Sequence, residues 1–234
     1  MSDFLPIYDL TPFTMLDFPD RIACIIWFAG CNMRCGYCHN PQIVKGKSGK
    51  LKSEDILTFL KSRQGLIEGV VLSGGEATLY KGILPFAEEV RQMGFSIKLD
   101  TNGTRPETLQ KLLDKRLLDY VALDYKAPSG KYAAVTKIRD KSPFDRSLQL
   151  LCDQKEVPFE VRTTVHTDLL DEADITEIIH DLEARSFIGS YYIQNYRPPT
   201  GGTLGSLASQ ERLLSQTVPT KNLSFSVKFR NFEA

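Results

Sequence analysis

The sequence has no surplus of either charge: 29 Lys and Arg balance 29 Asp and Glu. A protein whose binding rests on phosphate contacts carries a basic excess, so nucleic acid is not an expected partner. Long apolar runs are missing as well. None approaches the ~20 residues of a membrane-spanning helix, and the opening MSDFLPIYDLTPF lacks the basic-then-apolar order of a secretory signal. No membrane association and a cytoplasmic location are the resulting expectations. Internal repeats, low-complexity tracts and linkers are also absent. Cysteine is scarce, with five residues, yet three of them (Cys31, Cys35 and Cys38) fall within eight positions. Such crowding is not a disulfide framework, and in a reducing compartment it points to metal or redox chemistry.

What is present is an ordinary globular composition, 42% hydrophobic and 25% charged over 234 residues, enough for one domain with a substantial core. Short β-type runs alternate with amphipathic helices. Strands are predicted at Ile22–Phe28, Val70–Ser73, Ser96–Asp100, Tyr120–Lys126, Phe159–Val165 and Tyr191–Tyr196, with a C-terminal strand near Leu223–Phe229. Helices are predicted between them: one capped by Ser53, one near Leu84–Met93, one carrying Leu109, Leu112 and Leu113, and one near Phe144–Leu151. Another is announced by the pair Asp174 and Glu177, and a last one lies near Leu207–Leu214. Six β/α units in succession imply parallel strands with right-handed crossovers.

The strand faces favour a barrel over an open sheet. Period two puts Lys98, Asp100 and Asn102 on one face, as it does Asp124 with Lys126, and Glu160, Arg162 and Thr164 with His166. Gln194 falls on one face of its strand. An open sheet covered by helices on both sides would have two apolar faces. The expected fold is α/β, a partial (β/α)6 TIM-like barrel of parallel strands with a polar interior. It forms a single domain over 1–234: an N-terminal extension packing on the barrel (1–20), a β/α core (21–198) and a C-terminal loop, helix and strand (199–234).

The cysteine segment GCNMRCGYCHNP directly follows the first predicted strand, at the carboxyl end where β/α folds place their chemistry. Three thiolates this close can wrap one polynuclear centre. A four-iron cluster normally takes four cysteines, so three leave one iron open. A structural zinc site of three cysteines plus His39 is an alternative, although zinc motifs usually pair two ligand pairs across a longer loop. Cys24, inside an apolar run, and Cys152, after Leu150 and Leu151, read as core residues.

CNMRCGYC matches the CxxxCxφC pattern of the radical S-adenosylmethionine superfamily, with Tyr37 as the aromatic residue. Ser73-Gly74-Gly75-Glu76 resembles that superfamily's GGE motif. YCHNP, LDTNGT and the Asp-x-Lys of LDYKAP resemble the glycyl-radical-enzyme activase branch. Together with FEVRTTV and YYIQNYRPP they are similar to anaerobic ribonucleoside-triphosphate reductase activating proteins. The resemblance implies a radical SAM core with one [4Fe-4S] cluster on Cys31, Cys35 and Cys38, and S-adenosyl-L-methionine cleaved reductively to a 5′-deoxyadenosyl radical. It implies cofactor-binding roles for Tyr37, Gly74, Gly75, Glu76, Asp100, Asn102, Asp124 and Lys126. Gly74 and Gly75 would admit the methionine moiety, Glu76 would pair with its ammonium or brace the loop, and Tyr37 would pack on adenine or shield the cluster. Asp100 and Asp124, on neighbouring strands, call for a cation such as Lys126 or a bound monovalent ion. Arg162, His166 and Gln194 are further inward candidates, His166 more as a satisfied loop residue. The implied partners are a glycyl-radical enzyme such as anaerobic ribonucleotide reductase and a flavodoxin or ferredoxin-type electron donor. A small-molecule enzyme similar to 7-carboxy-7-deazaguanine synthase is the second expectation, a non-catalytic zinc-binding interaction module the third. RPPTGGTLG, from Arg197 to Gly205, reads as a loop and not as a phosphate-binding one, since GxxxxGK is missing.

Overall fold

Apolar β-rich runs and amphipathic helices alternate along this chain, and the computed structural model turns them into parallel strands separated by helices. It describes residues 5–46, 48–198, 202–205, 207–217 and 223–232. The chain divides into two compact units. The first holds Met1–Asn32, Gln42–Thr101 and Arg105–Ala122; the second holds Met33–Pro41, Asn102–Thr104 and Leu123–Ala234.

In the first unit β2 (Ala23–Phe28) is ACIIWF, buried at five of its six positions. Such a run has no polar face to offer water, so it takes neighbours on both edges. It pairs in parallel with β3 (Gly69–Gly74), and β3 in turn with β4 (Ser96–Thr101). The register sets Phe28 opposite Gly74. The carboxyl ends of β2 and β3 are therefore level, and the cysteine segment and the Gly-Gly-Glu turn leave the sheet side by side. The short α1 (Pro41–Lys45) buries Ile43 and Val44, and the helices α2 (Ser53–Arg63), α3 (Ile83–Gln92) and α4 (Pro106–Asp114) bury one stripe each. In α3 the stripe is Ile83, Phe86, Ala87 and Val90, at the i, i+3, i+4, i+7 spacing of one helix face. Pro106 opens α4 at its first turn, where its missing N–H costs nothing.

The N-terminal extension contains a strand the pattern did not announce. β1 (Ile7–Thr14) runs antiparallel to β2, with register shifts on either side of its middle. IYDLTPFT has no clean apolar alternation, and Pro12 suits only an edge strand. Its signal is thus weak, although Ile7 is completely buried. The expected caps also move. Lys52 precedes α2, and the Asp55 carboxylate accepts the Lys52 N–H at 3.4 Å, so Ser53 is the first helical residue and not the cap.

In the second unit β6 (Phe159–Val165), β7 (Ser190–Asn195) and β8 (Ser226–Arg230) are parallel and in register, with Glu160 opposite Ser190 and Ser190 opposite Ser226. The strand β5 (Tyr120–Asp124) gives its last two residues, Leu123 and Asp124, to this unit. It ends two residues before the expected Lys126. A helix that the sequence reading did not place, α5 (Ser129–Thr136), precedes α6 (Ser142–Asp153). The helix α7 (Glu172–Ala184) is capped by Asp171, whose carboxylate accepts the Ala173 and Asp174 N–H groups, while Asp174 accepts the Asp171 N–H. The capping pair is Asp171 and Asp174, three residues upstream of the expected Asp174 and Glu177. The expected last helix near Leu207–Leu214 does not form: the described residues 207–217 hold neither helix nor strand. Their backbone groups bond to other loops instead. Residues 199–201 of the RPPTGGTLG loop lie outside the described residues. No described helix is long and apolar enough to cross a membrane.

Candidate active site

The first unit supplies Cys31 and the Gly-Gly-Glu turn. Chain from the end of β2 passes through Gly30, held at φ +84 with its N–H donated to Ile43 O at 2.7 Å. The turn after β3 is clipped to it by two backbone bonds, Gly75 N–H to Phe28 O at 2.8 Å and Glu76 N–H to Gly30 O at 2.9 Å. Both glycines are required by this contact. Gly74 sits at φ +117, and a Cβ there would lie 2.6 Å from Phe28 O; a Cβ on Gly75 would lie 1.9 Å from Gly30 O. The expectation was that these glycines make room for a ligand. The approach seen is backbone to backbone, and it holds the turn beside the residue preceding Cys31.

Glu76 is 1% exposed. Its Oε1 accepts Thr78 N–H at 3.1 Å, Thr78 Oγ1 at 2.5 Å and Thr101 Oγ1 at 2.9 Å, tying the turn to the end of β4. These bonds brace the turn. Tyr80, which sequence reasoning missed because no fixed spacing marks it, donates to Ala29 O at 2.5 Å. Burial, then the nearby Cys31 and Glu76, push its phenol up. Asp100 already has a cation: Lys98 Nζ lies 2.5 Å from it, and Ser73 Oγ donates to its other oxygen at 3.0 Å. The alternation that put Lys98 and Asp100 on one face contained this pair.

The second unit supplies Cys35, Tyr37 and Cys38. The Cys38 N–H donates to Cys35 O at 3.1 Å, a tight turn that turns both thiols from one short loop. Cys35 is buried and Cys38 half-buried. Burial raises the Cys35 thiol, and the Lys126 ammonium pulls against it. Lys126 Nζ is 3.0 Å from Asp124 Oδ2 and 5.9 Å from the centre of the Tyr37 ring. Burial disfavours its charge, but Asp124, Tyr37 and Cys35 together hold it well above the usual lysine range. Asp124 also accepts from Arg162 Nε at 3.0 Å. Burial alone would raise the Asp124 carboxyl; Arg162 and Lys126 outweigh it and leave it lowered. The ladder continues to Glu160, 3.9 Å from Arg162 and 3.7 Å from Arg230, two carboxylate contacts that no motif signalled. Asp100 and Asp124 are thus each paired with cations of their own unit.

Tyr37 is 4% exposed, and its hydroxyl is buried with no hydrogen-bond partner among the described residues. An orphaned buried donor costs about 1–3 kcal/mol. Beside Cys35, a thiolate or an inorganic sulfide would relieve that cost, so the surroundings suit an anionic iron–sulfur centre. Asn102 is 4% exposed; its Oδ1 accepts Thr104 N–H and Oγ1, which makes it a turn-former. His166, fully buried, bonds to Ala208 O and accepts from Asp168 N–H, as a satisfied loop histidine does. Gln194 is half-buried on β7. Among the described residues no three His, Cys, Asp or Glu side chains are gathered closely enough to hold a single metal ion, the three motif cysteines included. Cys24 and Cys152 are core thiols pushed up by burial to about 12 and about 11.

Residues 25–184 match the Radical SAM superfamily. A protein of Methanocaldococcus jannaschii, provisionally named a glycyl-radical enzyme activating enzyme, is 33% identical over 188 residues, 78% of this chain and 76% of its own length. A 7-carboxy-7-deazaguanine synthase of Methanopyrus kandleri is 29% identical over 123 residues, 44% of this chain and 48% of its own. The structure of Streptococcus suis SuiB bound to S-adenosylmethionine superposes with a TM-score of 0.67 at 13% identity. That match covers 88% of this chain and 51% of SuiB, and at such identity it establishes the α/β fold alone.

Proposed function

Since the chain belongs to the radical SAM superfamily and is an enzyme of that chemistry, we propose that it is an activase that installs a glycyl radical on a partner enzyme. Anaerobic ribonucleoside-triphosphate reductase is the proposed partner, with a flavodoxin or ferredoxin-type protein as electron donor. The observation that carries the reading is the 33% identity to the Methanocaldococcus relative, which extends over three quarters of both chains. The match to the deazaguanine synthase covers under half of each and supports a second, small-molecule reading.

In this proposal Cys31, Cys35 and Cys38 hold one [4Fe-4S] cluster and leave an iron for S-adenosylmethionine. When bound, the pair supplies one-electron cleavage of a sulfonium carbon–sulfur bond and a hydrogen-abstracting adenosyl fragment. The chain's own contribution is placement. Gly74, Gly75 and Glu76 keep the turn against the residue before Cys31. Tyr37 serves better as a donor beside the cluster than as an adenine platform, because its ring is already covered. Lys126, Asp124 and Arg162 set fixed charges next to Cys35, where a carboxylate or ammonium of the cofactor finds a counter-charge. Asp100 and Asn102 support the ends of their strands. A monovalent cation would have to compete with Lys98 and Lys126 for the same carboxylates.

The test is electron paramagnetic resonance. Anaerobically reconstituted protein is mixed with the reductase, S-adenosylmethionine and reductant. Appearance of a glycyl-radical signal on the reductase supports the activase. Turnover of the deazaguanine synthase's substrate with no radical on the reductase would favour the second reading.

A further inference from the structure

The expected helix near Leu207–Leu214 is replaced by a segment that lies along the cysteine loop. Leu204 N–H donates to Cys38 O at 3.1 Å and Gly205 N–H to Gly36 O at 2.9 Å. These two carbonyls flank Tyr37, in the turn that separates two of the three thiols. Leu207 rests on Gly36: a Cβ placed there would meet its side chain at 3.6 Å, ordinary contact. Further along, the segment is held by α7 and the loop before it. His166 Nδ1 accepts the Asp168 N–H, so Nε2 carries the proton and donates to Ala208 O at 3.1 Å. Thr167 N–H and Oγ1 bond to Gln210 Oε1 and Arg212 O. Arg212 grips Glu172 with two bonds, 2.8 and 3.1 Å.

We infer that residues 203–205 and 207–215 are a strap that positions the Cys35–Cys38 turn and covers its outer side, with Gly205 and Leu207 as the positioning residues. A turn with only Gly36 and Tyr37 between its two cysteines, closed by one backbone bond of its own, gains rigidity from contacts made outside it. Two cross-bonds at Gly36 and Cys38 fix its carbonyls before any metal arrives, and His166 and Arg212 anchor the strap that makes them. Gly205 is the tight point. A Cβ there would lie 2.8 Å from Gly36 Cα and 3.1 Å from Gly36 O, atoms that cannot turn aside. The glycine inside the motif is the tolerant partner, and the distant one is the intolerant one. The inference rests on the cysteines being the cluster ligands, not on the identity of the partner enzyme.

Hydrogen–deuterium exchange on cluster-free protein tests it, read over residues 33–41 in wild type, Gly205→Ala, Gly36→Ala and Leu207→Ala. Exchange there should rise roughly tenfold in Gly205→Ala, because local opening tracks lost contacts, rise less in Leu207→Ala, and stay near wild type in Gly36→Ala. This readout needs no cluster, so it stands apart from a failure of the metal assignment. After reconstitution, bleaching of the cluster by air should accelerate in the same order, and the spectrum of the reduced cluster should broaden in Gly205→Ala. Wild-type exchange and bleaching in Gly205→Ala would overturn the strap, as would a Gly36→Ala protein as disturbed as Gly205→Ala. Should Gly205→Ala fail to fold, Leu207→Ala, which only removes atoms, decides the matter by the same two measurements.

Discussion

At the scale of single residues, the cysteines separate by environment. Burial raises the thiols of Cys24, Cys152 and Cys35 alike, but of the three only Cys35 has the Lys126 ammonium pulling against it. Reconstituted protein should hold about four irons and four sulfides. Cys31→Ala, Cys35→Ala and Cys38→Ala should each abolish this, and Cys24→Ala and Cys152→Ala should leave it intact; iron and sulfide analysis checks all five. The glycines separate just as clearly. Gly75→Ala drives a methyl into the Gly30 carbonyl and should destabilise by about 1–3 kcal/mol, the usual cost of overpacking. Gly130, in α5 with nothing near its missing Cβ, should gain ~0.5–1 kcal/mol as alanine. Urea unfolding measures both, and equal stabilities would contradict the geometry. Asp124→Asn keeps the shape but leaves Lys126 and Arg162 short of a counter-charge. Its cofactor affinity and cleavage should fall with cluster content retained; unchanged values would make Asp124 a plain ion pair.

Among the elements, α7 shows how charge is used at a helix start. Asp171 caps it, and Glu172 in the first turn takes Arg212 and the Ser215 N–H. The Arg212 guanidinium, with that N–H, pulls the Glu172 carboxyl down from 4.5 to about 2. A depressed carboxyl stabilises above its unfolded value, so the anchor is complete above pH ~4.5 and is lost as pH falls towards 2. The protection factor of the Ser215 amide, exchange corrected for its intrinsic pH dependence, should fall as pH drops through that window and be flat above it; a transition near neutrality would point to another group. Asp171→Ala should cost ~1 kcal/mol through the lost cap. Element existence was legible from periodicity, since α3, α4 and α6 repeat apolar residues on one face. Boundaries were less so. Asp171 and Asp174 make a capping box as good as the one expected at Asp174 and Glu177, and only the backbone bonds choose between them. The edge strand β1 has its side chains shared between protein and solvent, so its pattern carries no clear period.

The whole molecule makes one prediction of its own. Reduced, reconstituted protein should slowly form 5′-deoxyadenosine from S-adenosylmethionine without any partner, because the proposed cluster and cofactor residues all belong to this chain. Chromatography of the products checks it, and no product from fully loaded protein would return the cysteines to a structural role. By itself the sequence determined the parallel α/β order, the three clustered thiols, the Gly-Gly-Glu turn and the shared face of residues such as Lys98 and Asp100. These follow from period, spacing and residue chemistry, which are local and need no knowledge of neighbours. Tertiary structure alone decided why the glycines are needed, since the atoms they avoid, Phe28 O for Gly74 and Gly30 O for Gly75, are some 45 residues away. It also decided that Asp124 takes Arg162 as well as Lys126, and that 207–215 becomes a strap. A segment with apolar residues at helical spacing stays unwound when its backbone bonds are made better elsewhere, and that competition is settled by contacts distant in sequence.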